Sequence, residues 1–171
     1  MFIKENETEI LERLTKRKSE IKNLEKLPIL DKFYLSFLSK YESIEITPDI
    51  DIFGYEMALK ENRNLETNFP NIFNKLWMIG RTGQGDEWFI SRENGRLLFY
   101  DHNQGEYSNI EQFVSLNISF LEFLQIAFLY QELENSLDEQ EEITKKERVH
   151  FTDVINSIQS NLYELYPLKY W

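Results

Sequence analysis

The chain reads as an α+β domain on three observations. Apolar residues recur at helical spacing near both ends, β-branched and aromatic residues alternate with polar ones between about residues 43 and 101, and glycines gather between the strand-like runs. The 171 residues fit one domain, long enough to bury a sizeable core. The expected architecture is a central sheet, antiparallel or mixed, that contains a hairpin over 87–101. N-terminal helices, a helix over 119–134 and C-terminal helices pack against it.

Asn6 followed three residues later by Glu9 forms a capping-box pattern, and Ile10, Leu14, Ile21 and Leu24 predict an amphipathic helix that runs on to Pro28. Asp31 is placed to cap a second helix, whose Phe33, Phe37 and Tyr41 lie near one face while Tyr34 and Leu38 widen the stripe. From Ser43 to Phe53, Ile44, Ile46, Ile50 and Ile52 alternate with polar residues around Pro48, which predicts two short strands or a strand and a bend. Met57–Asn68 reads as a short helix or an excursion, and 69–74 as irregular chain broken by Pro70. Lys75–Ile79 begins a strand that leads into the glycines.

The segment from Trp77 to His102 holds four of the six glycines. Asn94-Gly95 suits a two-residue type I′ turn, because both residues tolerate positive φ. That turn would pair Glu93 with Arg96, Ile90 with Phe99 and Trp88 with Asp101. Trp88, Ile90, Leu97 and Phe99 then share one face, and Phe89, Leu98 and Tyr100 the other. Apolar residues on both faces place the hairpin centrally in the sheet or give it a binding face. Phe113–Leu116 is a candidate last strand. Ser119 with Glu122 makes a further capping box before the apolar Phe120–Leu129 run, and Phe151, Ile155, Ile158, Leu162 and Leu165 form a closing stripe.

A net charge of −11 argues against general nucleic-acid binding, which needs lysine and arginine to neutralise phosphates, and it favours a basic partner. With no cysteine, disulfides and thiolate metal sites are out of reach. The start of the chain lacks the pattern of a secretory signal, and Ile118–Leu133 is too short and too polar to span a bilayer, so a cytoplasmic protein without membrane contact is expected.

Gly80, Gly83 and Gly85 have the spacing of a phosphate loop, but such a loop needs a helix N-terminus directly after it, and Glu87-Trp-Phe-Ile reads as a strand. A tight turn between paired strands is the expectation. Asp86, Glu87, Asp101 and His102 are the one cluster with acid–base or metal-binding character, since strand pairing draws the two hairpin ends together. No nucleophile or second base accompanies it, and the other histidine, His150, belongs to a distant helix. Carboxylates at strand ends ordinarily accept hydrogen bonds from turn amides. No catalytic residue, metal or cofactor is therefore assigned. Trp88, Tyr100 and Tyr107 are candidate partner-binding aromatics, as are Glu139, Glu141 and Glu142 in the acidic run 132–142, which is otherwise a solvated helix face.

Leu27-Pro28, Phe37-Leu38 with Tyr41, Ile79-Gly80 through Gly85-Asp86, Phe99-Tyr-Asp-His102 and Phe120-Leu-Glu-Phe-Leu124 follow one another in an order that resembles the SUKH superfamily, named after a yeast cell-wall-synthesis regulator and populated mostly by bacterial immunity proteins. The likeness covers about residues 27–129 as the family core. Residues 135–171, closing on Tyr170-Trp171, look like the helical C-terminal extension of one subgroup. Glu42-Ser43 departs from the glycines that many members carry there. The resemblance implies a non-enzymatic module that binds and neutralises a cognate secreted polymorphic toxin, often a nuclease, whose basic groove would suit an acidic inhibitor. A regulatory scaffold like the yeast namesake is the alternative, followed by a metal-dependent hydrolase using Asp86, Asp101 and His102.

Overall fold

The computed structural model describes every residue except Ile29 and Glu141. Helix α1 (Glu7–Arg13) opens on the expected capping box, with Asn6 Oδ1 accepting from Glu9 N and Glu9 Oε2 from Asn6 N. It does not continue to Pro28. From Leu14 the chain lies extended along the end of α2 (Lys32–Lys40), where Arg17 N donates to Lys40 O and Ile21 N to Ser39 O. These amides satisfy carbonyls that the last turn of a helix leaves without partners, a tertiary gain that outweighs the weak helical periodicity of residues 14–24. Asp31 caps α2 by accepting from Tyr34 N.

Strands β1 (Ile44–Thr47), β2 (Ile50–Ile52), β3 (Leu76–Arg81), β4 (Glu87–Ser91), β5 (Leu97–Tyr100) and β6 (Val114–Ser115) pair in chain order as an antiparallel meander. Between β2 and β3 come α3 (Tyr55–Asn68) and a short α4 (Pro70–Phe73). Pro70 opens that last turn at its first position, where a missing amide costs nothing, rather than leaving 69–74 irregular.

The 87–101 hairpin forms with a different turn. Trp88 pairs with Phe99 and Ile90 with Leu97, two residues away from the type I′ register. The loop is longer: Ser91 N donates to Arg96 O, Gly95 N to Ser91 O, and the Ser91 hydroxyl accepts from the amides of Glu93 and Asn94. Gly95 has φ +70°, while Asn94 keeps a negative φ and accepts from Arg96 N. Glu93 and Arg96 therefore do not pair. A slip of two residues leaves each side chain on its face, so the expected division of apolar residues holds. Both faces are covered. Trp88 packs on Phe123 of α5 (Phe120–Gln140), and Phe89 meets Tyr107 and Phe113 on the other side.

Ser119 and Glu122 cap α5 reciprocally, and the helix runs well past residue 134. Its Gln131 donates to Ile46 O of β1. Thr144 and Glu147 form the box that starts α6 (Lys145–Ile158), and α7 (Leu162–Leu165) follows. Phe151, Ile155, Leu162 and Tyr166 are buried, with Tyr166 stacked 4.4 Å from Tyr130 and 6.0 Å from Trp88, so residues beyond 135 join the main core. Among the described residues, no helix is long and apolar enough to cross a membrane.

One extra residue bulges β3 between Met78 and Gly80. Asn62 of α3, 1 % exposed, answers it: Oδ1 accepts from Met78 N, and Nδ2 donates to Met78 O and Ala58 O, each at 2.8 Å. Asn62→Ala should cost about 3 kcal/mol in urea denaturation, because it strands a buried amide and a buried carbonyl together. Asn62→Asp should cost as much, since a carboxylate cannot donate to Met78 O.

Candidate functional site

The glycine segment is a turn between β3 and β4, entered from a strand that needs glycine for a different reason. Gly80 lies inside β3, where a Cβ would stand 2.3 Å from Asp51 O of the neighbouring strand. Gly83 N reaches back to Pro48 O at 2.8 Å, and Gly85 takes φ +100°. Thr82 closes the turn. Its amide donates to Asp86 O, and its hydroxyl accepts from the amides of Gln84 and Asp86 while donating to Asp86 Oδ2 at 3.2 Å. No helix follows, as the strand reading of Glu87–Ile90 requires.

Asp86 is 5 % exposed. Its Oδ1 accepts from His102 N at 3.0 Å and meets His102 Nδ1 at 2.6 Å, so one carboxylate joins the β3–β4 turn to the end of β5. Asp101 caps a short 3-10 turn by accepting from Asn103 N. The hydrogen bond to Asp86, with the charges of Asp86 and Asp101 added, raises the His102 pKa above its usual 6.5 against an opposing effect of desolvation.

Asp86, Asp101 and His102 bring one donor atom each within 4.8 Å of one another. Both Asp86 oxygens and Asp101 Oδ1 already accept from the chain. The Asp86 oxygens hold Thr82 and the His102 ring, and Asp101 Oδ1 holds Asn103. The His102 ring has Asp86 as its side-chain partner and no hydroxyl partner among the described residues. As it stands, the cluster can hold a protonated imidazole against a buried carboxylate and thereby lock two loops. Glu87, its neighbour, accepts instead from the Tyr107 hydroxyl and is held above the usual carboxylate range chiefly by burial.

The candidate partner-binding aromatics are placed elsewhere than expected. Trp88 is fully buried, its Nε1 donating to Asp49 O, and Tyr100 is 2 % exposed. Both are core residues, because the hairpin is central and covered on each face. Tyr107 is half-buried in a cluster with Phe69, Phe89, Tyr100 and Phe113. Glu139 and Glu142 are exposed, and Glu141 lies outside the described residues.

An acidic strip that joins two residues of the 132–142 run to the β1–β2 turn starts beside this turn. Asp49, in the β1–β2 turn, has its carboxyl raised by burial and by the charge of Asp86. Glu134 of α5 is raised by burial and by Asp49 and Asp138, with the hydrogen bond from the Tyr170 hydroxyl, 2.7 Å away, pulling it down. Asp138 is exposed, and Tyr170 keeps 43 % of its surface in solvent. Glu134 and Asp138 belong to the acidic run read from the sequence, whereas their junction with Asp49 and Tyr170 spans distant positions and leaves no local pattern. Thr82 was not singled out either, though a hydroxyl residue in a glycine turn is the local signal for such a cap.

Asp86→Ala should cost about 3 kcal/mol in urea, from the loss of charged hydrogen bonds to Thr82 and to the His102 amide. The Asp86–His102 pair also sets a pH dependence. With the folded pKa raised, its contribution is complete below pH 6.5 and is lost as pH rises through the folded value. Melting curves at a series of pH values should show that loss in the wild type, and the difference between wild type and His102→Ala should shrink as pH climbs.

Compared with known proteins, the chain matches no family model, no curated protein and no solved structure.

Proposed function

We propose that the chain is a protein-binding module that neutralises a basic partner, an immunity protein against a nuclease-type toxin as the SUKH resemblance implies. The observation that carries this reading is the strip of Asp49, Glu134 and Asp138 beside exposed Tyr170. Two of its carboxyls are partly desolvated and crowded by like charge, and none of the three has a cation within 4 Å among the described residues. A lysine or arginine arriving from a partner relieves that repulsion, and Tyr170 offers a rigid amphipathic ring next to it. The wider surface works in the same direction. Thirty acidic residues face nineteen lysines and arginines, which speeds encounter with a positive surface and disfavours negative ones. The Asp86–His102 pair supports the reading as a brace, since it fixes the β3–β4 turn, whose Gly83 N holds Pro48 O next to Asp49.

The test is co-expression with the nuclease domain of a polymorphic toxin encoded beside this chain. Wild type should restore growth. Asp138→Lys should slow association about tenfold at low ionic strength in stopped-flow, with the difference fading as salt rises. Glu66→Lys, on α3, is the control for net charge and should change the rate far less. Equal effects of the two reversals would remove the strip as the contact surface, and failure of the wild type to rescue growth or bind would remove the immunity function.

A further inference from the structure

A cavity opens at the other end of β3 and carries the opposite charge. It encloses about 890 Å³ at the start of β3, the end of β4 and the start of β5. Lys75, Arg92 and Arg96 line it against a single carboxylate, Glu93, with Leu76 and Leu98 as an apolar floor and Ser91 and Ser115 as hydroxyls. That volume lies in the range of small-molecule sites, which combine an apolar lining with a few placed polar groups.

Two of the cations are set side by side. Leu76 pairs with Ser91, and on the next step of the ladder Arg92 N donates to Lys75 O at 2.8 Å, so Lys75 and Arg92 leave neighbouring strands opposite one another. Like charges in that relation repel. Among the described residues neither has a carboxylate within 4 Å, in a chain with carboxylates in surplus. Arg92 is also pre-oriented: Nη1 donates to Phe73 O at 2.7 Å and the guanidinium lies 4.9 Å from the centre of the Phe73 ring, which leaves its other donors for a ligand. Arg96 is held loosely, 3.9 Å from Glu122 and 3.4 Å from Asn117 O.

We propose that this cavity binds a phosphate monoester with an apolar body. The dianionic head sits between Lys75 and Arg92, whose two positive charges it matches, and the body lies over Leu76 and Leu98 with Ser91 and Ser115 at its edge. A monocarboxylate would neutralise only one of the two cations, which favours phosphate. Guanidinium groups suit phosphate further because their forked donors take two oxygens at once. This site is independent of the acidic strip and would serve as a second, small-molecule input to the module.

The probe is phenyl phosphate, above its second ionisation near about pH 6. Benzoate serves as the monoanion and phenol as the uncharged body, all at one ionic strength set with sodium chloride. Phenyl phosphate should raise the melting temperature saturably and shift the amide NMR signals of Lys75, Ser91, Arg92 and Arg96. Benzoate should bind about tenfold more weakly and phenol not at all. Lys75 is exposed, so Lys75→Glu should fold, melt no lower than wild type without ligand, and lose the response to phenyl phosphate. Absence of saturable binding, shifts located away from these residues, or a Lys75→Glu variant that binds as tightly as wild type would each overturn the proposal.

Discussion

The bulge in β3 is the constraint on which the rest of the molecule is arranged. One extra residue between Met78 and Gly80 shifts the strand against β4 and leaves the amide and carbonyl of Met78 beyond the last residue of β2. A buried backbone pair of that kind must be hydrogen-bonded, and Asn62 supplies both bonds from α3. The second half of β3 then passes so close to β2 that position 80 has no room for a Cβ against Asp51 O. That close passage brings Gly83 onto Pro48 O, and with it the β1–β2 turn bearing Asp49 comes beside Asp86. A helix side chain, a glycine and two turns thus express one irregularity of a central strand.

Charge is distributed around the same strand. At its start, Lys75 and Arg92 stand together in a basic cavity. At its end, Asp86 and Asp49 lead into an acidic strip that crosses to Glu134 and Asp138. A six-residue strand separates these regions by about 20 Å, about two and a half Debye lengths at physiological salt, so each acts on its own neighbours. A net charge of −11 therefore describes the whole surface and conceals a local positive region. The strip would meet a macromolecule of opposite sign, whereas the cavity has the size and lining for something small.

Much of the fold was legible locally. The capping boxes at Asn6 and Ser119 and the cap at Asp31 each involve a side chain and an amide three residues apart, and all three form as read. Where reading failed, a distant partner had intervened. Residues 14–24 abandon a helix because the end of α2 offers carbonyls to Arg17 and Ile21. The hairpin turn lengthens because the Ser91 hydroxyl can cap two amides of a wider loop. Trp88 and Tyr100, large and amphipathic, had the chemistry of contact residues. Only the layers on both sides of the sheet make them core.

Sequence alone determined the α+β class, the starts of α1, α2 and α5, the approximate strands and the face of each hairpin side chain. These depend on hydrogen bonds spanning three or four residues and on side-chain periods of 2 and 3.6. Tertiary structure decided where α1 stops, which aromatic residues are hidden, how Asn62 serves the bulge, and which charges become neighbours. Those outcomes arise from contacts between positions 16 or more residues apart, such as 62 with 78, 86 with 102 and 134 with 170, whose geometry exists only once the layers have packed.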